Sequence, residues 1–344
     1  MALVYIGAFP PSYGGVTVKN ENLFNTLKER IDIEKVDLNL IKKKKIKEII
    51  RFLLVVTNRK NRFIIGVSGS QTRRKFCNLL YFINRKGMQD SILIIMGGKA
   101  AHEIVSDEKY KSLIAAFKLV FVETRGMQEE MLNAGICNCS IYPNCRVKPK
   151  AFDVEKDSIQ KKLNKNYPGV RKCVFFSKIE KEKGVDIIIQ AANEIRDVTF
   201  AFYGKIDEQY IQEFTSEIAG LENIEYKGIF IGDMDEKYKE LAQYDILLLP
   251  TRWDAEGIPG IVVEGRIAGL VPLLSDHNYN KELVNDNIDG ILLKDKRSSD
   301  ELKIEIERLC NDKDLLYIMR KNSIKRAEDY YIDNYIDEII NGLL

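Results

Sequence analysis

The sequence predicts an α/β chain of two Rossmann-like lobes with parallel sheets, followed by C-terminal helices. Three observations carry this. Short apolar runs alternate with segments of helical period almost from end to end, the pattern of βαβ units and a parallel sheet. The alternation falls into two blocks separated by a polar stretch. The chain has 344 residues, too many for one ordinary core but right for two domains of about 150 residues each.

In the first block the strand candidates are residues 3–7, 33–38, 63–67, 92–96, 119–122 and 140–142. Helical spacing of apolar residues lies between most of them, for example over 18–27 and 127–132. The second block offers strands at 173–176, 198–203, 224–226, 246–249 and 271–274. Residues 143–167 are polar, carry Pro143 and Pro149 and have weak periodicity, so the boundary falls there. This gives an N-terminal domain over 1–150 and a C-terminal domain over 151–325. Beyond Ser298 the pattern is helical, and an amphipathic tail over 326–344 is expected to pack back on the N-terminal domain.

Composition narrows the class. Apolar residues make up 45% of the chain, enough for a core in each half. No run of about 18 uncharged apolar residues occurs, so no transmembrane helix is expected. The N-terminus has neither a basic leader nor a small-residue cleavage site, and a cytoplasmic location is the expectation. Six scattered cysteines without repeated Cys-x-x-Cys spacing read as reduced thiols. The net charge of +2 hides an asymmetry: residues 1–150 carry +13 and the remainder −11. A basic half points to an anionic surface or substrate.

In parallel sheets ligands sit at the carboxyl ends of strands, where loops open onto helix N-termini. The most informative such loop lies in LLLPTRWDAEGIPGIVVEGRIAGLVPLLSD, residues 247–276. A buried strand ends at Leu249-Pro250, and Glu256-Gly257-Ile258-Pro259-Gly260 leads into a helix expected to start near Ile258. Proline suits a first helical turn, where its missing N–H would be unpaired anyway. The free amides of that turn, with the helix dipole behind them, suit a phosphate. Glu264 falls in the second turn, so Glu256 and Glu264 flank the phosphate turn and are placed to bind hydroxyls. As plain helix-start acids they would contribute only about 0.3–1 kcal/mol each.

Together with Ala268-Gly269-Leu270-Val271-Pro272, this stretch resembles the donor-binding signature of glycosyltransferase family 4, the glycosyl transferases group 1. The resemblance implies a GT-B fold with both sheets facing a central cleft. It implies that Glu256 contacts the donor sugar, Glu264 the ribose, and the backbone of Gly257, Ile258, Pro259 and Gly260 the phosphates. Upstream, VFFSKIEKEKGVDIIIQAA (174–192) is similar to the family's strand, cation and Lys-Gly helix start. Lys178 stands where the family has arginine, and Lys183-Gly184 is retained. Two cations there would offset the charge of a leaving diphosphate, although a lysine lacks the bidentate fork of arginine. Pro10-Pro11-Ser12-Tyr13-Gly14-Gly15 resembles the family's glycine-rich loop, which places Gly14 and Gly15 beside the donor phosphates. The resemblance covers most of the chain, most specifically residues 173–276.

Where many relatives have a histidine close to the reacting sugar, this chain has Met96-Gly97-Gly98-Lys99, and His102 is the nearest histidine. Either His102 or Lys99 could face that sugar, and His102 joins Glu256 and Lys183 as a catalytic candidate. The resemblance implies a retaining, metal-independent, hexosyltransferase-type enzyme that uses a nucleotide-sugar as substrate with no cofactor, UDP-sugar favoured over GDP-sugar. Its acceptor would be a glycan or a polyprenyl-diphosphate-linked sugar, in surface polysaccharide or glycoconjugate synthesis. Asp233-Met234-Asp235 matches a metal-binding Asp-x-Asp, but it precedes a helical pattern where Asp is a good cap, so no metal is expected.

The lysine run in LIKKKKIKEIIRFLLVVTNRKNR (40–62) fits an ordinary helix with a solvated basic face. The alternative, second to that reading, is a patch holding a peripheral enzyme on an anionic membrane face. The rival functions are a sugar-nucleotide epimerase or hydrolase on the same fold, and a non-enzymatic anion- or nucleic-acid-binding protein. The latter lacks any recognition-helix or stacking-aromatic motif, so no nucleic acid is expected. A dinucleotide-binding dehydrogenase is disfavoured by the missing Gly-x-Gly-x-x-Gly after the first strand.

Overall fold

A computed structural model describes residues 2–11, 14–149, 159–164 and 166–343. Ser12 and Tyr13 of the glycine-rich loop and residues 150–158 of the expected boundary lie outside them. The chain forms two compact units: Met1–Lys148 with Ala255–Pro259 and Tyr330–Leu344, and Pro149–Asp254 with Gly260–Asp329.

Among the described residues the first unit holds six strands: β1 (Leu3–Gly7), β2 (Glu34–Asp37), β3 (Arg62–Gly66), β4 (Ile92–Ile94), β5 (Leu119–Val122) and β6 (Cys139–Ile141). They pair in parallel in the order β2-β1-β3-β4-β5-β6. Crossovers are made by α1 (Gly15–Lys28), α2 (Leu38–Lys42), α3 (Ile46–Thr57), α4 (Ser70–Ile83), α5 (Arg85–Gln89), α6 (Ala100–Val105), α7 (Glu108–Ala115) and α8 (Arg125–Asn133). The lysine run does not continue one helix. Lys44 takes a left-handed φ of 55° and separates α2 from α3.

The second unit holds β7 (Lys172–Phe176), β8 (Thr199–Tyr203), β9 (Ile224–Gly228), β10 (Ile246–Leu249), β11 (Val271–Ser275) and β12 (Ile291–Leu293), ordered β12-β11-β10-β7-β8-β9 and parallel throughout. Its helices are α9 (Val185–Glu194), α10 (Ile211–Ile218), α11 (Met234–Leu241), α12 (Gly260–Ile267), α13 (Asn280–Leu283), α14 (Ser299–Asn311) and α15 (Lys313–Ala327). The edge strand β12 was not among the expected strands. Buried Asp245, before β10, ties α15 to the sheet. It accepts from Arg320 at 3.0 Å, from the Tyr167 hydroxyl at 2.7 Å and from the Arg171 and Lys172 amides.

The last helix, α16 (Ile336–Leu343), belongs to the first unit. Its stripe Ile336, Ile339, Ile340 and Leu343 recurs at helical spacing and packs into the core with Tyr5, Ile92, Phe121 and Tyr142. Arg30 pairs on the surface with Asp337 at 2.8 Å and Asp333 at 3.2 Å.

Candidate active site

The strand order locates the site before any side chain is considered. In the second unit the order reverses between β7 and β10, and ligands of doubly wound sheets bind at the carboxyl ends of strands beside such a reversal. The loop after β7 carries Lys178 and Lys183. The loop after β10 carries Thr251 to Pro259 and leads into α12.

Those two loops are bound to each other. The Arg252 amide donates to the Glu182 carbonyl at 2.6 Å, and the Arg252 guanidinium bonds Asp186 at 2.9 Å and the Lys181 carbonyl. Lys181–Lys183 forms a single 3-10 turn closed by Gly184 at φ +77°. A Cβ on Gly184 would lie 2.2 Å from the Pro250 carbonyl oxygen, so both backbone sign and close approach require glycine. The turn buries Lys183 to 3% exposure and sets its ammonium 3.9 Å over the ring of Trp253, a cation–π contact. Lys178 differs. It is exposed, and its ammonium sits between Asp207 and Glu180. Those hydrogen bonds, Asp207 first, hold its pKa above the usual lysine range and leave its charge locally neutralised.

The helix after the loop starts at Gly260, two residues later than expected, so Pro259 precedes the first turn rather than occupying it. Residues 255–259 are drawn into contacts of the first unit, which delays helical geometry. First-turn amides of a helix have no intrahelical acceptor, and Gly260, Ile261 and Val262 supply them here. Glu264 lies in the second turn, 3% exposed, with Oε2 2.5 Å from the Lys237 ammonium on α11. Lys237 in turn stands 4.5 Å over the ring of Phe176 at the end of β7. Phe176 stacks on Tyr203 at 4.8 Å and 16°, and Phe230 closes on both. The cations and aromatic faces thus gather at the ends of β7, β8 and β10.

In the first unit the segment containing Glu256 is held by two hydrogen bonds to its backbone. The Gly98 amide donates to the Ala255 carbonyl at 3.1 Å, and Asn144 Nδ2 donates to the Ile258 carbonyl at 2.9 Å. A Cβ on Gly98 would meet the Glu256 carbonyl oxygen at 2.0 Å, and one on Gly257 would meet Glu123 Oε2 at 2.3 Å. Glu123, at the end of β5, is 2.8 Å from the ammonium of Lys19 on α1, and both are buried. Its other oxygen accepts from the Gly97 amide at 3.2 Å. Gly14 precedes α1 with extended backbone, its amide donating to Thr17 Oγ1 at 3.0 Å, and Gly15 begins the helix.

His102 lies on an exposed face of α6, its side chain 77% exposed, with Nδ1 3.2 Å from Glu130. Lys99 immediately precedes α6 in the Gly97-Gly98 turn. His277 has Nδ1 3.0 Å from Lys296 and Nε2 3.2 Å from Asp254, and burial, then the Lys296 charge, lower its pKa. Asp233 is the N-cap of α11: it accepts from the Glu236 amide, and Glu236 accepts from its own. Among the described residues no group of three His, Cys, Asp or Glu could hold a metal ion.

Sequence reasoning missed Trp253, Lys237 and the Lys19–Glu123 pair. Trp253 is the chain's single tryptophan and sits three residues before Glu256, a signal that was available. Nothing local joins Lys19 to a carboxylate 104 positions away.

Residues 155–328 match the model of the family described as glycosyl transferases group 1. A curated relative from Escherichia coli, UDP-Gal:alpha-D-GlcNAc-diphosphoundecaprenol alpha-1,3-galactosyltransferase, is 27% identical over 158 residues; the match covers 43% of this chain and only 39% of that relative. Among solved structures, Anabaena HepE in complex with UDP superposes with a TM-score of 0.69 at 16% identity, over 99% of this chain and 98% of that one. Sucrose-phosphate synthase from Thermosynechococcus elongatus gives 0.69 at 12% identity, over 100% and 98%. At such identities these two likenesses speak for the fold. The family match covers just over half of the chain, and on it the chain belongs to the glycosyl transferases group 1, with the GT-B fold.

Proposed function

We propose that this chain is a retaining glycosyltransferase that moves a sugar from a UDP-sugar to a lipid-linked acceptor. The observation that carries the reading is the buried Lys183, fixed against Trp253 beside the loop that opens into α12. A left-handed glycine and an arginine lock the turn that buries it. Lys183 and the first-turn amides of α12 would take the diphosphate, and Lys178 would stand further out with much of its charge already spent on Asp207 and Glu180. Glu264, oriented by Lys237, would accept from the ribose hydroxyls. The ring of Phe230, packed against Phe176 and Tyr203, supplies apolar surface for the base. Glu256, four residues ahead of α12 in the chain, takes the donor sugar, with the Gly257–Gly260 backbone following the phosphates.

In the reaction the anomeric C–O bond to the β-phosphate breaks and a new C–O bond forms to the acceptor hydroxyl on the same face. The departing phosphate oxygen takes the acceptor's proton, so no side-chain base is required, and His102 need not serve as one. Charge grows on the diphosphate as its bond breaks. Fixed positive groups aimed there lower the barrier, and they do so without a metal. The choice of UDP rests on the curated relative and on the HepE complex. The lipid-linked acceptor rests on the relative's diphosphoundecaprenol substrate, which implies work on surface glycans at the cytoplasmic membrane face.

Trp253 supplies the test. Titration with UDP should change its fluorescence, GDP should do so more weakly, and Lys183→Ala and Glu264→Ala should weaken UDP binding by roughly tenfold to a hundredfold, as expected for charge-assisted contacts. An unchanged signal, with both variants binding UDP like the parent, would contradict the assignment. Donor consumption without any acceptor would instead favour an epimerase or hydrolase.

A further inference from the structure

The helix α3 is built against the usual logic of a globular surface. Its sequence IKEIIRFLLVVT buries one residue fully, Val56. Ile46 is 71% exposed, Leu54 67%, and Ile50 and Leu53 are each more than half exposed. Positions 46, 50, 53 and 54 share one face of a helix, so four large aliphatic side chains form a continuous outward stripe. The adjoining α4 adds to it. Phe52 of α3 packs on Phe76 of α4 at 6.0 Å, while Leu79 and Phe82 of α4 point away, Phe82 at 82% exposure. Contiguous apolar surface of this kind on a water-facing helix marks an interaction site.

Charge selects the occupant. Exposed Lys42, Lys43, Lys44, Lys45 and Lys47 lead into the stripe, and exposed Arg59 and Lys60 follow its end. The carboxylates of this region are engaged: Glu48 accepts from the Asp37 amide at 2.8 Å, and Glu34 pairs with Arg51 at 2.7 Å. An apolar stripe with cations at both ends fits a helix lying in the headgroup region of an anionic bilayer.

We propose that the α3 stripe and Phe82 dock this protein on the surface of an anionic lipid bilayer, with Lys42–Lys45 and Lys47 over the headgroups. The stripe enters the acyl boundary without spanning it. No helix among the described residues is long and apolar enough to cross a membrane. The docking stands on the surface alone and does not depend on the transferase reading.

The full chain would be sedimented with phosphatidylglycerol and with phosphatidylcholine vesicles at low and high salt. Binding should be confined to the anionic vesicles and weaken with salt. Replacing Lys42–Lys45 by glutamine should lower the partition coefficient on the order of a thousandfold, from about 1 kcal/mol for each of the four basic residues near the leaflet. Ile50→Asp with Leu54→Asp should abolish binding while leaving the UDP response of Trp253 intact. Equal binding to both vesicle types, or an I50D/L54D protein that binds like the parent, overturns the proposal. So does a protein that ignores vesicles but self-associates through this stripe, dissociating in I50D/L54D. Loss of the UDP response in the parent would count against the proposed function and leave the docking untouched.

Discussion

Replacing Lys19 by methionine asks whether the buried pair with Glu123 supports the first unit. The two groups are 2.8 Å apart with side chains 1% and 5% exposed, and Lys19 also donates to the Tyr142 carbonyl at 3.0 Å. Methionine preserves most of the stem but removes the charge and the donors, leaving a buried carboxylate with the Gly97 amide. Losing one partner of a buried pair costs about 3–5 kcal/mol, against about 0–1 kcal/mol for an exposed pair such as Arg30–Asp337. Lys19→Met should therefore destabilise the first unit by several kcal/mol, and Arg30→Ala should be close to neutral. The double variant K19M/E123Q removes both charges, and its cost should fall short of the sum of the single costs by about 1–3 kcal/mol. Urea unfolding measures the loss, and hydrogen exchange over β4 and β5 assigns it to the first unit. A Lys19→Met protein within about 1 kcal/mol of the parent, or strictly additive costs, would refute the reasoning. Because Glu123 also backs Gly257, the variants should lower turnover with any acceptor more than they lower UDP affinity.

Gly184→Ala should weaken UDP binding and stability together. Its φ of +77° and the Pro250 oxygen 2.2 Å from the new Cβ predict a cost of roughly 2 kcal/mol or more, read by thermal melting and Trp253 titration; an unperturbed melt would show that the turn relaxes freely. Lys162 gives a pH dependence. Burial pushes its pKa down to about 7, whereas an unfolded lysine titrates near about 10.4. Between those values the unfolded chain binds more protons, so the second unit should gain stability as pH rises from about 7 to 8. Above that range buried thiols such as Cys173, pushed up by burial, act in the opposite sense. Lys162→Met should flatten the rise in urea unfolding, and an identical slope in the variant would remove Lys162 as its cause.

Much of the fold was legible because parallel strands buried on both faces read as continuous apolar runs. β1, β5 and β10 have the expected ends, and the other expected strands shift by a residue or two, where ends fray. The break at Lys44 was not legible, since a non-glycine residue in the left-handed region leaves no compositional mark. The site was legible where it is local: Lys183-Gly184 on its turn, and Glu264 in the second turn of its helix. The late start of α12 was hidden because carbonyl contacts from Gly98 and Asn144, remote in sequence, hold the residues before it.

By itself the sequence determined the alternation of strands and helices, the two blocks and the presence of a helix soon after the loop that follows β10, since each follows from the burial period and turn chemistry of neighbouring residues. Only the tertiary structure decided that β7 lies beside β10, that Trp253 covers Lys183, that Lys237 meets Glu264, and that α3 turns its aliphatic face outward. Those facts depend on which crossovers bring distant segments into register, and hydropathy along one segment contains no record of what that segment will face.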